Sequence, residues 1–285
     1  MSLFQIILIS LLQGITEWLP ISSSGHVLLA SSYFGFGAHD ELLINAMAHL
    51  GTLFAVLLFF WKDVLRAFGG GFELVGSAAT RKPLSSNARL AMLILLSMPI
   101  TLVVVGGFEV LASDQLKETM RGPLTVAATT LVFGLALWWA DVRGGNEKAT
   151  EEMTPMHAVL IGATQAIAAI LPGTSRSGIT MTAARWFGYE RTEAARFSML
   201  IGAPILAATG AYAVLELLTA ETTGVANLTD GLIVAGLSFV SGIVSIWALM
   251  EILKKMSFLP FVIYRIVLAI ALVLASPLAF NWIAA

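Results

Sequence analysis

An all-α integral membrane protein is the fold class this sequence predicts, and three observations predict it. Of 285 residues, 58% are hydrophobic and only 12% charged, against about 25% charged in a soluble chain. Mean hydropathy is +0.86. The apolar residues lie in long unbroken runs rather than alternating, which argues against the closed barrel, the other structure that can cross a bilayer. Half the usual charge cannot cover a water-facing surface on a chain this long, so a soluble enzyme is excluded. Sixteen Lys and Arg against eighteen Asp and Glu leave a net charge of −2. A nucleic-acid partner would need a basic face and is not expected. With no cysteine, disulfide frameworks, Cys-zinc sites and thiol nucleophiles drop out together.

Crossing roughly 30 Å of hydrocarbon takes about 20 apolar residues in a helix. Six stretches meet that length: Leu42–Phe60, Ala88–Phe108, Gly122–Ala140, Phe197–Leu215, Thr229–Met250 and Leu259–Trp282. Charge clusters such as Lys62–Arg66 and Asp141–Glu152 separate them. Two further apolar segments break partway. Leu3–Leu19 carries Gln5, Gln13, Thr16 and Glu17, then breaks at Pro20 into Ser22, Ser23, Ser24, Gly25 and His26. Met156–Leu171 breaks at Pro172 into Gly173, Thr174, Ser175, Arg176, Ser177 and Gly178. Short helices follow over Val27–Phe34 and Ile179–Phe187. Non-helical backbone cannot face lipid, so both segments read as re-entrant hairpins with buried or wet tips. No Lys or Arg precedes Lys62, which argues against a signal peptide for the first.

Basic residues set the orientation. With these spans, the N-terminal side receives only Lys117 and Arg121. The opposite side receives Lys62, Arg66, Arg81, Lys82, Arg89, Arg143, Lys148, Arg185, Arg191, Arg196, Lys254, Lys255 and nearby Arg265. Both termini are therefore expected outside the cytoplasm.

The two hairpins also match each other. At an offset of 152, Gln13 falls on Gln165, Pro20 on Pro172, Ser22 on Thr174 and Ser23 on Ser175. Each half, approximately 1–145 and 153–285 of a single membrane domain, holds one hairpin and three crossings. An odd number of crossings turns the second copy over, and such inverted repeats meet near the midplane at broken helices. At the same offset Glu17 opposes Ala169, Ser24 opposes Arg176 and His26 opposes Gly178. One half donates a carboxylate and an imidazole, the other a guanidinium.

Ionisable groups at membrane depth point to function. Arg176 has two readings: a buried ion pair with Glu17 that pins the hairpins, or an anion clamp whose planar fork fits phosphate oxygens. Ser175, Ser177 and Thr180 add hydroxyls, Gly173 and Gly178 allow tight backbone, and a helix start near Ile179 favours an anion. Of Ser22, Ser23 and Ser24, one is expected only to cap its helix. His26 suits general acid–base or nucleophilic work. Gln13 and Glu17, four apart, share a helix face, where a carboxylate can hold a divalent cation completed by substrate phosphates. His49, one turn after Asn45, is a candidate for supporting contact.

At these residues the sequence resembles the undecaprenyl-diphosphatase family, bacterial membrane enzymes linked to bacitracin resistance. The resemblance covers almost the whole chain. It is carried by Gln13-Gly-Ile-Thr-Glu17-Trp-Leu-Pro20-Ile-Ser-Ser-Ser-Gly-His26, by Leu171-Pro-Gly-Thr-Ser-Arg176-Ser-Gly-Ile-Thr180, and by Ser257-Phe-Leu-Pro260-Phe-Val-Ile-Tyr264-Arg265. It implies hydrolysis of undecaprenyl diphosphate to undecaprenyl phosphate and phosphate, recycling the lipid carrier for peptidoglycan synthesis in the bacterial cytoplasmic membrane. It implies a divalent cation, Mg2+ or Ca2+, and a site opening to the periplasmic side. The family's Glu, His and Arg map onto Glu17, His26 and Arg176, and its serines onto Ser22, Ser23 and Ser175. The expected catalytic set is Glu17, His26, Arg176 and Ser23. Substrate binding is expected from Ser22, Ser24, Gly173, Thr174, Ser175, Ser177 and Thr180, and metal binding from Glu17, with Gln13 as a candidate second ligand. Gln13 stands where many members carry a second glutamate, so a two-carboxylate metal site is not supplied here. The alternative from another class is a flippase for the lipid phosphate, since inverted repeats with broken helices also build transporters. A homodimer is compatible with either.

Overall fold

The computed structural model describes residues 2–34, 38–80, 83–219 and 228–283, which form helices and short connections. Helix α1 (Leu3–Thr16) starts on a capping box in which Ser2 and Gln5 satisfy each other's backbone N–H groups. It ends where Pro20 forbids continuation, and α2 (Ser23–Phe34) follows after the tip. Next come α3 (Ala38–Phe59) and α4 (Trp61–Thr80). The charge cluster Lys62–Arg66, expected in a connection, is instead the first turn of α4. This helix bends 86° away from α3 and exposes Leu65, Phe68, Phe72 and Val75 along one face. An apolar stripe on a helix turned across the span is the pattern of a helix lying in the membrane interface.

Helices α5 (Ser86–Leu96) and α6 (Pro99–Leu111) form one span, interrupted where Pro99 cannot donate to the ladder. Short α7 (Asp114–Arg121) is capped by Ser113 and leads to α8 (Pro123–Arg143). The second half begins with a 3-10 turn, Thr150–Glu152. It continues through α9 (Pro155–Ile170), α10 (Arg176–Trp186), α11 (Arg191–Thr219), α12 (Leu228–Leu253) and α13 (Leu259–Ile283). Among the described residues five helices are long and apolar enough to cross a membrane, and a sixth span results if bent α3–α4 is taken as one. Five of the six expected spans are found as single helices, and Leu42–Phe60 corresponds to the α3 part of the bent pair; α1 and α9 are shorter apolar helices, as a broken entry requires. The chain is an all-α, multi-pass membrane protein.

Packing follows small residues, because helices in lipid gain from close backbone approach rather than from hydrophobic burial. A Cβ added to Gly51 on α3 would stand 2.2 Å from the Ala235 carbonyl oxygen of α12, and one on Gly162 of α9 would stand 2.1 Å from Ser97. The pairings come in exchanged sets. Helix α1 packs on α12 and α9 on α6; α2 packs on α13 and α10 on α8; α3 meets α11, and α8 meets α13.

Buried charges tie one end of the bundle together. Asp141 accepts from Arg185 and Arg191, both at 2.8 Å, and from the Phe258 N–H at 3.1 Å. Arg196 holds Asp63 through two bonds of 2.6 and 2.9 Å and reaches Glu193 at 3.1 Å. Glu193 in turn takes the Thr150 hydroxyl at 2.6 Å. This network fixes the start of α4, the ends of α8 and α10, and the start of α11 relative to one another.

Candidate active site

The two hairpin tips meet, and matching serines build them. Ser22 and Ser175 both adopt left-handed backbone, with φ of 74° and 68°, a conformation costly for a residue with a Cβ. Each hydroxyl then accepts from the N–H three residues on, Gly25 at 3.3 Å and Gly178 at 3.1 Å. Each also lies 3.2 Å from a second serine hydroxyl, Ser24 and Ser177. This equivalence corrects the register expected after the prolines. Ser22 matches Ser175, so Ser23 opposes Arg176 and His26 opposes Ile179. The second tip contains one extra residue, and the constant offset of 152 holds only up to the prolines. Both second helices also begin earlier than expected, with Ser23 and Arg176 in their first turns.

Across the tips runs a buried ion pair. The Arg176 Nη2 donates to Glu17 Oε1 at 2.7 Å, with the two side chains 16% and 7% exposed. Nη1 donates to the Gly202 carbonyl at 2.7 Å, and the guanidinium lies over the Trp18 ring, 5.2 Å from its centroid. Trp18 is itself fixed by its indole N–H on the Thr52 carbonyl. The other Glu17 oxygen, Oε2, accepts from Gln13 at 2.9 Å and from the Ser23 hydroxyl at 3.2 Å. His49 Nε2 stands 3.7 Å from the same oxygen and 3.1 Å from the Gln13 amide nitrogen, its Nδ1 bound to the Asn45 carbonyl. His49 thus touches both residues of the first motif's polar face.

The remaining expected residues divide by what their polar atoms already do. Ser22, Ser175, Ser177 and Thr180 are buried and bonded internally; Ser177 donates to the Leu19 carbonyl and Thr180 lies 2.5 Å from Ser198. They shape the tips. The exposed Ser24 accepts from the Gly173 N–H at 2.9 Å, joining the two hairpins. Gly173, at φ 90°, lies where an added Cβ would clash with Thr129 and the Val126 carbonyl. Thr174 is fully buried and its hydroxyl has no partner. His26 is 7% exposed, with Nδ1 on the Ser22 carbonyl at 2.7 Å and Nε2 on the Tyr264 hydroxyl at 2.6 Å.

Arg265 was expected near the cytoplasmic end, which the structure contradicts. It is fully buried between the hairpins. Its donors go to the carbonyls of Thr130 at 2.9 Å, Gly173 at 3.0 Å and Pro20 at 3.4 Å, one guanidinium stitching both tips to α8. Without Arg265 the sequence count on that side is twelve against two, of which Arg81 and Lys82 lie outside the described residues. The sequence hid this role, because no carboxylate near Arg265 announced a buried partner and its acceptors are all backbone.

The hard oxygens available to a divalent cation are Glu17 Oε2 and the Ser23 hydroxyl; Gln13 turns its amide nitrogen to Glu17 and His49, so it would add its carbonyl oxygen only with the carboxamide reversed. No group of three or more His, Cys, Asp or Glu gathers among the described residues. Glu17 is already neutralised by Arg176. The set fits Mg2+ or Ca2+ only as part of a shell, with the missing oxygens and negative charge coming from a phosphate ligand.

A family model described as bacitracin resistance protein BacA matches residues 6–271. The chain belongs to this family. Three relatives named undecaprenyl-diphosphatase extend the match along nearly the full length. The protein of Hyphomonas neptunium is 58% identical over 279 residues, covering 98% of each chain. Those of Maricaulis maris and Jannaschia sp. are 44% and 41% identical, covering 95% and 97% of this chain and 98% and 99% of their own.

Proposed function

We propose that this protein hydrolyses undecaprenyl diphosphate to undecaprenyl phosphate and inorganic phosphate. The observation that carries the reading is the Glu17–Arg176 pair: a carboxylate from one broken helix and a guanidinium from the other, in a buried site at a helix start. A transporter has no need of the Ser23 hydroxyl held on a carboxylate or of an imidazole in the adjoining turn. The relatives from Hyphomonas neptunium, Maricaulis maris and Jannaschia sp. are named diphosphatases, so flipping is not favoured.

Arg176 keeps donors beyond those on Glu17 and Gly202, and these bind the diphosphate oxygens with the N–H groups at the start of α10. Glu17 Oε2 accepts the Ser23 hydroxyl and offers an oxygen to a divalent cation, joined by the Gln13 carbonyl if its carboxamide reverses; when bound, that ion would neutralise charge building on the phosphate oxygens. His26 takes a proton at Nε2 from the attacking hydroxyl or water, or is itself the nucleophile there. The bond broken joins the terminal phosphorus to the bridging oxygen, which leaves with the prenyl phosphate.

The chain's termini and the site mouth face the outer side of the cytoplasmic membrane, a reading supported by the twelve-to-two basic count. An apolar groove of about 590 Å3 between α3, α4, α5 and α11 gives the head-proximal part of the polyprenyl chain a path beside the site. Its wall residues Leu53 and Ala203 directly follow Thr52 and Gly202, whose carbonyls hold Trp18 and Arg176.

The test compares phosphate release from a prenyl diphosphate in detergent by wild type and Arg176→Ala. Loss of an oriented donor should lower kcat/KM by about 100–1,000-fold or more; near-normal turnover would overturn the clamp.

A further inference from the structure

His26 has a partner from the other half of the chain that its own motif does not reveal. Nδ1 lies 2.7 Å from the Ser22 carbonyl oxygen, which can only accept, so Nδ1 carries the hydrogen. In the neutral ring the lone pair is then on Nε2. The group facing it is the Tyr264 hydroxyl at 2.6 Å, which donates to it. The Tyr264 ring also stacks on the imidazole, 5.5 Å between centroids and 10° from parallel. Tyr264 sits next to Arg265 on α13, so the residue that stitches the tips also fixes where this hydroxyl stands. His26 is buried, whereas Tyr264 is 44% exposed, so the group on Nε2 belongs to a side chain that reaches the protein surface.

We infer that Tyr264 is a positioning residue for His26. It holds the imidazole in one orientation and one tautomer, with the Nε2 lone pair facing the hydroxyl. It yields that place to the incoming O–H or phosphorus when the diphosphate binds. Stacking supplies the orientation and the hydroxyl supplies the hydrogen bond, so the two contributions separate by substitution. The inference rests on the hydrolase reading above for its kinetic half only; the contact itself is tested independently.

Tyr264→Phe keeps the ring and removes the hydroxyl. The expected result is a fall in kcat of about tenfold, within what proton-transfer groups contribute, with KM held within about twofold. A second readout is labelling of the unprotonated imidazole by diethyl pyrocarbonate, followed by peptide mass spectrometry. His26 in Tyr264→Phe should be labelled at least about fivefold faster than in wild type, because its Nε2 lone pair has lost its donor, while His49 keeps its wild-type rate. An unchanged kcat, or an unchanged His26 labelling rate, overturns the assignment. Equal acceleration of His26 and His49 also overturns it, since that signals general loosening. Should His26→Ala retain phosphate release, the hydrolytic role of His26 fails, and the labelling ratio still decides whether Tyr264 covers Nε2.

Discussion

A hydrogen in place of a methyl group at position 202 decides where the Arg176 guanidinium sits. A Cβ there would lie 3.1 Å from the guanidinium carbon and 3.2 Å from Nη1, so the group must give by a few tenths of an ångström from its place between Glu17 and the Gly202 carbonyl. Gly202→Ala should therefore cost about tenfold in kcat/KM, near 1.4 kcal/mol of transition-state binding, without unfolding the protein. The readout is phosphate release beside a thermal melt. Gln165 presents the opposite case. It matches Gln13 in sequence, yet it is 2% exposed and both side-chain polar atoms lack partners. Gln13 has Glu17 and His49 to bond; at the corresponding place beyond Gln165 stands Ala169. An unsatisfied buried polar group costs about 1–3 kcal/mol, so Gln165→Met should raise the melting temperature in detergent and leave turnover unchanged. A lower melting temperature would mean that the carboxamide is satisfied.

At the scale of elements, what the sequence disclosed depended on whether the signal was local. The pairing of Gln13 with Glu17 was legible because helical period puts positions four apart on one face. The breaks at Pro20 and Pro172 were legible because proline ends a ladder. The register of the two tips was not, since one extra residue in a loop leaves no periodic trace and only the matching Ser22 and Ser175 geometry reveals it. Helix α4 was missed for a related reason: its charges resemble a connection, and its apolar stripe shows only once a helix is assumed. That helix closes the apolar groove beside the site, which yields a prediction. Ala203→Trp narrows the groove but leaves the Arg176 and Glu17 contacts in place. KM for a C55 diphosphate should rise about tenfold, roughly 1.4 kcal/mol of lost tail binding, while KM for a short prenyl diphosphate stays near wild type. Equal effects on both substrates would mean that the chain runs elsewhere.

Over the whole molecule, the site exists because two broken helices are held tip to tip, and Arg265 is the clasp. Its three carbonyl acceptors come from the first hairpin, the second hairpin and α8. Removing the side chain strands them away from water, at about 1–3 kcal/mol for each abandoned group. Arg265→Met should thus lose most of its thermal stability and all activity together, and Arg265→Lys, able to reach fewer acceptors, should fall between. Loss of activity with full stability would mean that Arg265 acts on substrate rather than on the tips. Five of the spans and the meeting of the hairpins were readable from apolar runs and proline positions. The clasp was not, because backbone carbonyls carry no sequence signature. The central claim is that the meeting tips form a phosphatase site. Its most direct test is inorganic phosphate release from a prenyl diphosphate by purified protein in detergent, with and without divalent cation, alongside His26→Ala. Cation-dependent release that disappears in His26→Ala is the predicted result; well-folded wild type that releases no phosphate with the cation present would contradict it.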